Sequence, residues 1–108
     1  MEEIQPLDQK TIEEVKKRLV KAYNPREIYI LEPRSEDTID VGILVVVDEA
    51  GLQNRYALMA QGHHALVGVD IAKSILVYTP EEFEAYSKDR YTMSYAIKHY
   101  GKQIYARA

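Results

Sequence analysis

The chain has 108 residues, one domain's worth, of which 46% are apolar and 29% charged, a globular balance that argues against a disordered tail, a collagen-like fibre or a supercharged nucleic-acid arm. Fourteen Lys and Arg against 17 Asp and Glu give a net charge of −3, the wrong sign for wrapping a phosphate backbone, which needs a basic face. There is no Cys, so a disulfide framework, a thiolate nucleophile and a Cys-ligated zinc or iron–sulfur site are all excluded. Met1-Glu2-Glu3-Ile4 lacks the basic segment and apolar run of a signal peptide, and the longest apolar run, Ile43 to Val47, is far short of the roughly 20 residues that cross a bilayer. A soluble cytoplasmic protein without a membrane partner is expected. A domain of this size buries only about 60–68% of its surface, which leaves room for self-association.

Asp8 to Tyr23 reads as an amphipathic helix, because Ile12, Val15, Leu19, Ala22 and Tyr23 recur at three- and four-residue steps behind an Asp8 N-cap. Asn24-Pro25 stops it, since the residue before Pro avoids the helical region. Glu27 to Leu31 reads as a strand and Glu32 to Asp37 as a loop. Thr38 to Val47 begins with Ile39 inward and Asp40 outward. It then becomes the solid run Ile43-Leu44-Val45-Val46-Val47, which suits a central strand buried on both faces. Asp48-Glu49-Ala50-Gly51 turns the chain. Leu52 to Leu66 reads as a helix with Leu52, Tyr56, Met59 and Leu66 on its buried side, weakened at Gly62.

Ser74 to Tyr78 is a third strand. In Thr79-Pro80-Glu81-Glu82, Thr caps, Pro suits the first helical position and Glu82 closes a capping box, so a helix through Phe83 and Tyr86 follows. Arg90 to Tyr100 reads as a last helix with Met93, Ala96, Ile97 and Tyr100 on one side and Gly101 at the C′ position, and Gln103 to Ala106 as a tail that adds to a sheet edge. The order α-β-β-α-β-α-α implies an α/β (α+β) fold in one domain over residues 1–108. Its small mixed sheet has three or more strands and flanking helices; a short loop favours antiparallel pairing of the first two strands, and a helical crossover favours parallel pairing of the next two.

Few residues propose chemistry. His63 and His64 are neighbours, about 100° apart on a helix, whereas a metal-binding pair shares a face at a spacing of three or four; they read as surface histidines, as does His99. The five glycines are scattered, and no serine has the context of a nucleophile elbow. Tyr23, Tyr56, Tyr86, Tyr95 and Tyr100 read as packing residues whose hydroxyls reach water. Asp40 and Asp48 stand at opposite ends of the long strand, roughly 25 Å apart at ~3.3 Å per residue, so they cannot share a metal. A two-metal site needs carboxylates at i and i+2 of a strand, and the partner position of Asp40 is Gly42.

Several phrases taken in order resemble the minimal nucleotidyltransferases of the DNA polymerase beta superfamily. They are Pro25-Arg26-Glu27-Ile28-Tyr29-Ile30-Leu31, an Asp-containing strand ending in Leu44-Val45-Val46-Val47, Ile75-Leu76-Val77-Tyr78-Thr79-Pro80-Glu81-Glu82-Phe83, and Gly101-Lys102-Gln103-Ile104-Tyr105. The resemblance covers most of the chain and implies a nucleotidyltransferase-like fold. It also implies three chemical stations. A Gly-Ser pair that binds phosphates falls at Glu32-Pro33, an Asp-x-Asp that binds metals falls at Asp40-Val41-Gly42, and a third Asp falls at Ser74.

Asp40 is therefore the one catalytic and metal-binding residue carried over, as a vestige, and no cofactor is expected. The expectation is a degenerate member that has stopped transferring nucleotides and acts by binding protein. Its partner would be another copy of itself or a small helical protein, such as those with which the family forms toxin–antitoxin pairs. The alternative is a working Mg²⁺-dependent nucleotidyltransferase that joins Asp40 to Asp37 or Asp70 and moves a nucleotidyl group from a nucleoside triphosphate to a protein or small-molecule acceptor. A third reading is an interaction domain whose resemblance is chance.

Overall fold

The structure, a computed structural model, describes residues 7–33, 40–48 and 55–108. Eight elements follow one another: α1 (Gln9–Tyr23), β1 (Glu27–Leu31), β2 (Val41–Val46), α2 (Arg55–Ala65), β3 (Lys73–Tyr78), α3 (Pro80–Tyr86), α4 (Met93–Tyr100) and β4 (Lys102–Ala106). The four strands form one mixed sheet in the order β3-β2-β1-β4. β1 pairs antiparallel with β2 and with β4, and β2 pairs parallel with β3 across the α2 crossover. The expected mixed sheet with flanking helices is thus present, and the tail after Gly101 adds the fourth strand beside β1.

Every residue of β2 is buried, because the strand lies inside the sheet and both its faces are covered. Alternation sends Val41, Ile43 and Val45 to one face, where Ile28, Ile30, Ile75 and Val77 join them beneath Val15 and Leu19 of α1. Leu44 and Val46 face the other way, onto Ile97, Phe83 and Met93 of the α3–α4 layer. Helices therefore cover both sides of the sheet.

Local chemistry sets the element ends. Asp8 accepts a hydrogen bond from the Thr11 amide at 2.7 Å, and Asn24 takes a left-handed conformation at φ 48° to end α1. At α3 the Thr79 hydroxyl accepts from the Glu82 amide at 3.2 Å while the Glu82 carboxylate accepts from the Thr79 amide at 2.9 Å. Burial raises the Glu82 pKa, but the amide bond and the Arg55 guanidinium outweigh it and hold the carboxyl below its ordinary value. Thr79→Ala removes one half of this box and is expected to lower stability by about 1 kcal/mol, read as a shifted urea midpoint at unchanged slope.

Several expectations need correction. Tyr56 is 84% exposed, because α2 turns Leu58, Met59, Gly62 and Leu66 to the sheet and Tyr56 lies on its far side. Tyr86 and Tyr100 are also exposed, although the Tyr86 ring stands 5.0 Å from that of Tyr78. The last helix begins at Met93, capped by the Thr92 hydroxyl, and not at Arg90. Gly101 has φ −80°, so no left-handed cap is formed. A side chain there would instead press on the carbonyl oxygens of Ile97 and Ile30, at 2.7 and 2.9 Å from an added Cβ.

Gly62 is no weak point either. A Cβ there would stand 2.6 Å from the Tyr23 hydroxyl and 3.2 Å from two carbons of Ile75, so its lack of a side chain is what lets α2 lie against α1 and β3. The Tyr23 hydroxyl donates to the Leu58 carbonyl, and burial pushes its pKa up to about 12. The expected starts of the second strand at Thr38 and of the second helix at Leu52 lie outside the described residues.

Candidate functional site

Asp40 stands exposed at the entrance to β2. Its Oδ2 accepts a hydrogen bond from the Ser74 hydroxyl of β3 at 3.3 Å. Gly42, two residues on, shares its side of the strand by alternation, and the parallel register sets Gly42 directly beside Ser74. The three positions singled out in the sequence therefore meet at one corner of the sheet, where Asp40 is the one carboxylate among them.

The corner is also full. A Cβ at Gly42 would lie 3.2 Å from the Met93 sulfur and 3.4 Å from Leu31 Cβ. Met93 opens α4, whose Thr92 cap and buried Ile97 fix the helix on this face. The space in which a second carboxylate would stand is thus occupied by a thioether, a soft filler that offers Mg²⁺ no oxygen.

Glu32 and Pro33 leave the sheet at this same end, since Leu31 pairs with Gly42. They line an open cleft of about 380 Å³ with Ile30, Leu31, Tyr100 and Lys102. The Glu32 carboxylate meets the Lys102 ammonium at 3.5 Å, which closes the end of β1 onto the start of β4. Pro33 has no amide hydrogen, so a phosphate approaching here would find one donor fewer than at a glycine–serine turn, and a carboxylate that already holds Lys102. Neither Met93 nor Lys102 was placed at this corner from sequence. Each comes from an element distant along the chain, and no local motif announces such a contact.

The other candidates lie elsewhere. Asp37 is outside the described residues. Asp70 lines a shallow depression with Lys10, Thr11 and Glu14 of α1. Among the described residues, no group of three or more His, Asp or Glu is placed to hold a metal ion. His63 and His64 are exposed on the outside of α2. His99 stacks on Tyr95 at 3.9 Å, with Nδ1 2.9 Å from the Tyr95 carbonyl oxygen, and so packs on its own helix. No helix among the described residues is long and apolar enough to cross a membrane.

A second polar cluster lies at the opposite end of the sheet. Arg107 and Arg26 both donate to Asp48, at 3.0 and 3.3 Å. Hydrogen bonding from Arg107 leads in holding the Asp48 carboxyl below its ordinary pKa. These are exposed ion pairs that fasten β4, β1 and the end of β2, and such pairs add little stability.

Compared with protein-family models, with curated proteins and with solved structures, the chain finds no match.

Proposed function

We propose that the chain is a nucleotidyltransferase-like domain with a degraded active site, which no longer transfers nucleotides and acts by binding protein. The observation that carries this reading is the corner itself: of the three described positions 40, 42 and 74, one holds a carboxylate, Asp40, one a hydroxyl, Ser74, and one a glycine whose side-chain space Met93 fills. Nucleotidyl transfer is mostly positioning and the neutralisation of charge by metal ions held on several oxygens. Asp40 and Ser74 supply too few for Mg²⁺ and a triphosphate together. Glu32, paired with Lys102, stands where the phosphates would lie. The fold needs none of the lost groups, because the core is built from the aliphatic residues around them. Protein binding, to a second copy or to a small helical partner, is the use left to a scaffold that keeps its surfaces and loses its chemistry.

Thermal melting with each of the four nucleoside triphosphates and Mg²⁺ tests this. No shift is expected. An intact site at about 100 times its dissociation constant adds roughly 2.7 kcal/mol, and a shift of that size would show that the site still binds nucleotide and favour the working transferase instead. Asp40→Asn keeps a hydrogen-bond acceptor for Ser74 and is expected to change stability by less than about 0.5 kcal/mol. Loss of a measured transferase activity in that variant would overturn the reading.

A further inference from the structure

β3 is a terminal strand of the sheet, and from Ser74 to Tyr78 it carries no charged side chain. An edge of that composition is a template for another strand, through the row of amides and carbonyls it turns outward. The register tells which groups those are. The Val41 amide donates to the Ala72 carbonyl and the Val47 amide to the Tyr78 carbonyl, both at 2.8 Å, so the even-numbered residues along β3 face β2. Backbone groups change sides from one residue of a strand to the next, so Lys73, Ile75 and Val77 present theirs to the outer edge. Thr79 follows on the same side, with its backbone still extended.

Two of these outward groups are taken by side chains. Arg55, which opens α2, donates through Nη1 to the Val77 carbonyl at 2.7 Å. Glu82 accepts the Thr79 amide at 2.9 Å on one carboxylate oxygen, and with the other it meets Arg55 Nη2. A residue of a parallel neighbouring strand makes the same pair of bonds: its N–H goes to one carbonyl, and its C=O to the amide two residues further on. We infer that the Arg55–Glu82 pair takes the place of one residue of a next strand and so closes the edge of β3 to strand addition. The capping box alone accounts for the Thr79 bond, but not for the reach of Arg55 to the Val77 carbonyl. The pair is held against the sheet: the Arg55 guanidinium carbon lies 5.2 Å from the centre of the Tyr78 ring, and the two side chains are only 33% and 24% exposed. The inference is independent of the Asp40 corner, since it stands whether or not nucleotides bind there.

The probe is a dye-labelled peptide of the β3 sequence itself, Lys-Ser-Ile-Leu-Val-Tyr, held at nanomolar concentration while the full chain is titrated to about 100 µM and fluorescence anisotropy is followed. The parent chain is expected to leave the peptide free. Arg55→Met keeps an apolar stem over Tyr78 and removes the donors. It is expected to bind the peptide at least about 10-fold more tightly than the parent, and N-methylation of alternate peptide amides is expected to abolish that binding. Arg18→Met takes a guanidinium from the Ala65 and Val67 carbonyls, at the other end of α2, and is expected to behave as the parent does. Should the melting curve show Arg55→Met to be unfolded, Glu82→Gln takes its place: glutamine still closes the capping box, and loss of the ion pair is expected to tighten peptide binding at least about 3-fold. A parent that binds the peptide as tightly as the variant, a folded variant that ignores it, or an Arg18→Met chain that binds it equally well overturns the inference.

Discussion

Gly42→Asp is expected to destabilise the fold by about 3–5 kcal/mol, although it writes back the very residue that the nucleotidyltransferase pattern sets two places after Asp40. The position is buried, and a first side-chain carbon would already stand 3.2 Å from the Met93 sulfur and 3.4 Å from Leu31 Cβ. A carboxylate beyond that carbon either drives Met93 and α4 off the sheet or stays charged against a thioether and an aliphatic wall. Urea unfolding measures the loss. Met93→Ala in the same chain removes the obstructing sulfur, so the double variant is expected to be more stable than the sum of the two single changes, by about 0.5–3 kcal/mol. A Gly42→Asp chain as stable as the parent would show that the corner is open after all, and the case for a closed site would go with it.

The second large effect lies one residue on. Ile43→Ala is expected to cost about 2–5 kcal/mol, a large share of the roughly 5–15 kcal/mol by which domains are stable. Ile43 is fully buried, and its neighbours across the two ladders are Ile30 and Ile75. Helices α1 and α2 close over them, so surrounding atoms cannot collapse into the cavity without moving two layers. Ile43→Val, which removes one methylene, is expected to cost about 0.5–1.5 kcal/mol. A lower urea midpoint at unchanged slope is the predicted signature, and two variants of equal stability would contradict the central placement of β2.

What the sequence made legible follows the reach of each cause. The capping box at Thr79 and the stop at Asn24-Pro25 depend on atoms within a few residues of each other, and both stand as expected. The solid run from Ile43 announced a strand covered on both faces, since no amphipathic element tolerates so many consecutive aliphatic residues. Tyr56 departs from the buried side expected of it because counting apolar residues ignores which face of a helix holds the glycine. Once Gly62 is seen as the point of closest approach, Tyr56 falls on the far side. At the candidate site, the missing carboxylate at 42 and the hydroxyl at 74 were readable residue by residue. That Met93 fills the vacancy and that Lys102 answers Glu32 were not, because both contacts join elements that meet through the fold alone.

The place of β4 has a consequence for how the chain is made. It closes the sheet against β1, with Ile28 opposite Tyr105, 77 residues later. At translation speeds of about 5–20 residues per second, β1 waits roughly 4–15 s after its own synthesis before its outer neighbour exists. Through that interval the nascent chain shows a bare row of amides and carbonyls on the ribosome, and chaperones would have their time to act there, before Lys102 to Ala106 arrives to cover it.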